Sequence, residues 1–130
     1  MTKQEAFYRM VSHLAQQGRR CMKGNRCAYR GDDGTKCVIG AMISDGIAEL
    51  LDSVDTFEPN AVGDAEVWRM VREELALEDL EESKAKTFYQ EMQKVHDSSD
   101  DLGDVNAGLQ HIATEYGLDA ALVPSVTAWV

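Results

Sequence analysis

The chain has 130 residues, enough to close one hydrophobic core, and its length calls for no second domain. Its three cysteines are an odd set, and the opening MTKQEAFYRMVSHLAQQG carries polar and charged residues throughout rather than a secretion signal or an apolar membrane span; a cytoplasmic protein with reduced thiols and no membrane association is expected. A formal charge of −10 opposes direct nucleic-acid binding, in which attraction to phosphate dominates.

Thr2 followed by Glu5 has the form of a capping box, and Phe7, Met10, Val11 and Leu14 recur at helical spacing until Gly18, which predicts a helix over 4–17. The basic, aperiodic GRRCMKGNRCAYR reads as a loop holding Cys21 that leads into a short strand ending near Arg30. GDDG turns the chain at Asp33-Gly34, residues that tolerate left-handed backbone, and Thr35-Lys36 supply a second short strand. From Val38 the apolar positions Ile39, Met42, Ile43, Ile47, Leu50 and Leu51 are spaced helically over 38–51, with a break near Ser44 to Gly46. DSVDTFEPNAVGD is a loop containing Pro59, with Phe57 and Val62 turned towards the core.

Asp64 caps a helix over 64–76 that presents Val67, Trp68, Met70, Val71 and Leu75. Phe88, Met92 and Val95 mark a helix over 84–96, and Val105, Leu109, Ile112 and Ala113 mark one over 105–116 that Gly117 ends. Trp129 anchors an apolar tail. The fold class is mainly α: about five helices with one small β-hairpin after the first, in a compact single domain. The core consists of Phe7, Val11, Leu14, Val38, Ile39, Met42, Ile43, Trp68, Val71, Phe88, Met92, Val95, Leu109 and Ile112.

Charge is unevenly distributed. Residues 1–40 hold eight basic and three acidic residues, a local charge of +5, and the remainder holds five basic and twenty acidic, a local charge of −15. Either the two parts attract each other within one fold or they face different partners. The acidic residues Glu73, Glu74, Glu78, Asp79, Glu81, Glu82, Asp100 and Asp101 form the candidate interaction surface.

Few catalytic patterns fit. Cys21, Cys27 and Cys37 lack the close spacing of a zinc site, and His13, His96 and His111 are scattered over three helices, so neither a metal nor another cofactor is expected. No phosphate-binding glycine loop, H-E-x-x-H or G-x-S-x-G sequence occurs. Thiol chemistry has one route: if Thr35 caps a helix starting at Lys36, Cys37 lies in its first turn, where backbone N–H groups favour a thiolate, and His96-Asp97 could supply a base and its orienting carboxylate. A structural role for the same stretch puts Tyr29 and Cys37 against the core, pairs Arg30 with an acid such as Asp45 or Asp97, and has Gly40 admit a neighbouring helix.

The segment CAYRGDDGTKCVIGAMISD, with the later FEPNAV, MQKVHD and LQHIATEYGL, resembles a family of small uncharacterised proteins from bacteria and their phages that share C-x-Y-R-G-x-x-G-x-K-C-x-x-G. The resemblance runs from about residue 13 to 118 and departs at Ser44, where a proline is common, and in the acidic 73–82 segment. It implies no mechanism; phage relatedness implies a small protein that binds a host factor. The leading expectation is therefore a non-enzymatic acidic protein that binds and modulates another macromolecule. Its partner would be a protein with a basic surface, such as a host nucleic-acid-binding protein. The alternative is a small-ligand binder or thiol-dependent enzyme with a pocket between the 27–37 hairpin and the helix ending at His96, lined by Tyr29, Arg30, Cys37, Asp45, His96 and Asp97.

Overall fold

A computed structural model describes residues 1–53 and 62–130. The first helix, α1 (Lys3–Gln17), begins with the capping box: Glu5 N–H donates to the Thr2 hydroxyl, and the Glu5 carboxylate accepts the Thr2 backbone N–H. Gly18 ends it with φ at 66°, a left-handed conformation that leaves its N–H bonded to the Leu14 carbonyl.

The hairpin follows, but earlier in the chain than its sequence suggests. Strands β1 (Met22–Lys23) and β2 (Arg26–Cys27) pair antiparallel, Met22 opposite Cys27 and Lys23 opposite Arg26, across a Gly24-Asn25 turn with Gly24 at φ 63°. GDDG instead closes a second turn, held by an isolated bridge between Arg30 and Lys36 and by the Gly31 N–H on the Thr35 carbonyl at 2.8 Å, with Gly34 at φ 79°.

No helix begins at Lys36. Thr35 turns its hydroxyl back onto Asp33 at 2.8 Å, and the apolar run starts with turns and a short 3-10 segment, Gly40–Met42, before α2 (Asp45–Asp52). The break falls at Ile43, whose extended backbone (φ −116°, ψ 159°) separates the two pieces. Helix α3 (Ala65–Val71) is capped by Asp64 and is shorter than its apolar pattern; turns continue to Leu75. Tertiary bonds claim that last stretch: Glu74 accepts the N–H and hydroxyl of Ser44, and the Leu75 carbonyl accepts the Tyr89 hydroxyl at 2.9 Å. Helices α4 (Glu82–Ser98) and α5 (Leu102–Glu115) form an antiparallel pair, α5 opening on Asp101, which accepts the Asp104 N–H at 2.8 Å.

All fourteen residues expected in the core are buried, in one cluster that also takes in Cys21, Tyr29, Cys37, Val62 and Trp129. Phe57 and Pro59 lie outside the described residues. The tail returns to α1 through the Val130 N–H on the Gly18 carbonyl at 3.0 Å, with the Trp129 indole N–H directed at the Ser99 carbonyl at 3.3 Å. Among the described residues no helix is long and apolar enough to cross a membrane.

Candidate functional site

Arg30 lies at the centre of the hairpin region. Its guanidinium meets the Asp45 carboxylate through Nε at 3.1 Å and Nη2 at 2.7 Å, and spends its other donors on the carbonyls of Tyr29, Gly40 and Ile43. One side chain thus ties the hairpin to the 3-10 segment and to the start of α2, and it holds the Asp45 carboxyl below the usual carboxylate range. Asp52, at the end of α2, accepts the Tyr29 and Arg30 backbone N–H groups, one on each oxygen at 3.0 Å. Gly40 is required here, though by the hairpin rather than by a neighbouring helix: a Cβ on it would fall 2.2 Å from the Tyr29 carbonyl oxygen.

Behind this staple, the end of α4 carries a buried polar cluster. His96 is fully buried; its Nε2 accepts the Cys21 backbone N–H at 3.0 Å, so the ring proton sits on Nδ1 and is donated to Asp97 at 2.7 Å. Gln93 bridges outward, giving its amide N–H to the same Asp97 oxygen at 2.8 Å and accepting the Ile39 N–H at 3.1 Å. The edge of Trp129 closes over the imidazole with ring centres 5.9 Å apart. Both imidazole nitrogens are therefore engaged, and neither faces a thiol.

The three thiols share an environment that disfavours the thiolate. Cys37 is fully buried and its Sγ accepts the Gly40 N–H at 3.1 Å, but burial pushes its thiol well above the ordinary range. Cys27 is half-buried against Asp97, and burial together with that carboxylate raises it to about 12. Cys21, read from sequence as a loop residue, is fully buried; it offers its S–H to the Thr35 carbonyl at 3.4 Å, and burial raises it as well. A nucleophilic thiolate would need the opposite surroundings: exposure, a cation or an unoccupied base.

The predicted pocket residues thus divide into two layers. Arg30 and Asp45 face an open cleft that also holds Lys23, Asp32, Glu49 and Asp52, while Tyr29, Cys37 and His96 lie buried behind it, with Asp97 at their edge. Gln93, Asp52 and the Cys21 amide complete the arrangement; only burial of a polar Gln on an otherwise apolar helix face could have marked any of them in the sequence.

The acidic residues are ordered by a different pattern of bonds. Glu74 accepts from Ser44, Asp79 from the Lys3 N–H at 2.8 Å, Glu82 from the Trp68 indole at 2.6 Å, Glu81 from the Ser83 hydroxyl at 2.8 Å and Asp101 from the Asp104 N–H. Glu78 stands 3.6 Å from the N-terminal ammonium and Asp100 3.4 Å from Arg20, while Glu73 is exposed. Attraction between the basic and acidic parts of the chain is thus realised at a few points, notably Arg20 with Asp100 and the N-terminus with Glu78. Among the described residues the group whose donors converge closely enough to hold a metal ion is Glu91, His111 and Glu115, away from the cysteines.

No protein-family model, curated protein or solved structure matches the chain.

Proposed function

We propose that this protein acts in the cytoplasm by binding a protein with a basic surface, and that the stretch from Glu73 to Glu82 is the docking surface. The observation that carries this reading is how those carboxylates are fixed. The stretch holds six acids and no Lys or Arg, and Glu74, Asp79, Glu81 and Glu82 are anchored by backbone N–H, hydroxyl or indole donors instead of cationic side chains. Neutral donors order a carboxylate without cancelling its charge, so although Glu78 stands near the N-terminal ammonium, the surface is largely preorganised and net negative. The segment is also tied down along its backbone, the Glu78 N–H bonding to the Met1 carbonyl at 2.9 Å. A partner presenting lysines or arginines would gain charge-assisted contacts at little ordering cost.

The buried thiol and imidazole cluster supports a structural part for residues 27–37: with Cys37 and His96 fully buried, it supplies rigidity and leaves recognition to the surface. A pull-down tests the reading. Tagged protein and a Glu73→Gln, Glu78→Gln, Glu81→Gln triple variant are incubated with cell lysate at low and at moderate salt. Capture of a basic protein by the parent at low salt, weakened by salt and lost from the triple variant, is expected. Equal capture by both, or capture by neither, contradicts it.

A further inference from the structure

We propose that Glu91 of α4 with His111 and Glu115 of α5 forms a site for one divalent transition-metal ion, independent of the docking surface. The two α5 donors are four residues apart and so share one helix face, opposite Glu91 on the neighbouring helix. One ligand atom from each of the three lies within 4.8 Å of the others, and the His111 Nε2 stands 3.6 Å from a Glu115 oxygen. Metal–ligand bonds of about 2.0–2.2 Å place adjacent donors roughly 3–4 Å apart, so the residues need only small side-chain rotations to close on an ion.

The set does not rest on carboxylates alone. An imidazole with two carboxylates is a donor set for zinc, cobalt or nickel, whereas magnesium and calcium prefer oxygen alone. His111 is 77% exposed and stands against the Glu115 carboxylate, which also meets Glu91, so a metal would take the place of exposed contacts of His111 and Glu115. Glu91 is half-buried, and the Tyr116 hydroxyl donates to its Oε1 at 3.2 Å, which orients the carboxylate as an outer partner orients a ligand.

The helices supporting the three are rigidly placed. They approach so closely at Gly108 that a Cβ there would lie 2.8 Å from a Val95 methyl. An open cleft between them, lined by Glu91, Lys94, Val95, Gly108 and His111, gives an ion access. The Lys94 ammonium lines that cleft too, and the two carboxylates outweigh it. Three protein ligands leave the remaining coordination positions to water or to a donor from another molecule.

Calorimetric titration of the 130-residue chain with Zn²⁺ and with Mg²⁺, under reducing conditions, tests the site, with Co²⁺ absorption as a second readout. One Zn²⁺ per chain, no comparable Mg²⁺ heat, and a Co²⁺ spectrum without thiolate charge-transfer bands are expected. His111→Ala, a change at an exposed position that leaves the fold intact by circular dichroism, should weaken Zn²⁺ binding at least tenfold, and Cys27→Ser should leave it unchanged. Absence of Zn²⁺ binding, equal affinity in His111→Ala, or thiolate bands in the Co²⁺ spectrum would each overturn the proposal.

Discussion

The Cys21 backbone N–H is donated to Nε2 of His96, 75 residues away, at 3.0 Å. This one bond joins the chain entering the hairpin to the last turn of α4 and fixes the imidazole tautomer that Asp97 then holds from the other side. Replacing His96 by Phe keeps a ring of similar size but leaves the Cys21 N–H and the Asp97 carboxylate each short of a partner. A loss of about 2–4 kcal/mol in urea unfolding is expected, since an unsatisfied buried group costs roughly 1–3 kcal/mol. Unchanged stability would show that the Cys21 N–H and the Asp97 carboxylate find other partners.

Arg30 should be intolerant of its nearest substitute. Lysine keeps the charge but cannot reach Asp45 and the carbonyls of Tyr29, Gly40 and Ile43 together, because it lacks the planar fork. Arg30→Lys is expected to lose about 1–3 kcal/mol on the scale for hydrogen bonds to charged groups. The loss should persist in high salt, as most of these bonds go to backbone carbonyls; its disappearance in salt would mean that the Asp45 ion pair alone mattered.

Three glycines give a graded test. Gly40→Ala places a Cβ 2.2 Å from the Tyr29 carbonyl, and because backbone rather than a flexible side chain is met, a large loss or failure to fold is expected. Gly34→Val meets no atom within 4 Å, but φ is 79°, which suggests a loss of about 1–3 kcal/mol. Gly46→Ala, in the first turn of α2 with nothing within 4 Å, should stabilise by about 0.4–1 kcal/mol. Thermal melts of the three should fall in that order.

Much of this fold was legible because local chemistry and burial agreed. Thr2 with Glu5 and Asp64 occupy their capping places, and the helical spacing of apolar residues identified the core, whereas the cap at Asp101 starts α5 three residues before its apolar pattern does. The turn at GDDG is present with an Arg30–Lys36 bridge, but the paired strands β1 and β2 before it were missed because two strands of two residues are too short to show alternation and Gly24-Asn25 is a quieter turn signal than GDDG. Within the candidate site, charge marked Arg30 for pairing with an acid such as Asp45 or Asp97, and only the fold selects Asp45. The reach of Gln93 to Ile39 and of His96 to Cys21 spans 54 and 75 residues, and no local pattern encodes such pairings.

Acid should weaken the fold partly through His13. Its Nε2 lies 2.6 Å from the Lys36 carbonyl, and burial holds the imidazole below its ordinary 6.5. The unfolded chain therefore binds the proton more readily: the contribution is complete above pH 6.5 and is lost as pH falls through the folded value. His13→Gln should flatten the decline in urea midpoint between about pH 7 and pH 5. An unchanged slope would assign the decline to other groups.

The thiols should resist alkylation in the native state. Burial raises all three, and Cys21 and Cys37 have no exposed surface, so iodoacetamide at neutral pH should modify Cys27 slowly and the other two only after unfolding. Rapid labelling of Cys37, read by mass spectrometry, would mean that the hairpin opens readily from the core.

The proposed docking surface is tested most directly by carbodiimide coupling, which joins a carboxylate to a lysine in contact with it and reports by mass spectrometry which acid was used. When the protein is treated in cell lysate at low salt, partner lysines should be found on exposed acids of the 73–82 stretch, Glu73, Glu78 and Glu81 among them. The products should vanish in moderate salt. Coupling confined to Asp32 and Glu49 at the cleft beside the hairpin, or no coupling to another protein at all, would contradict recognition through that stretch.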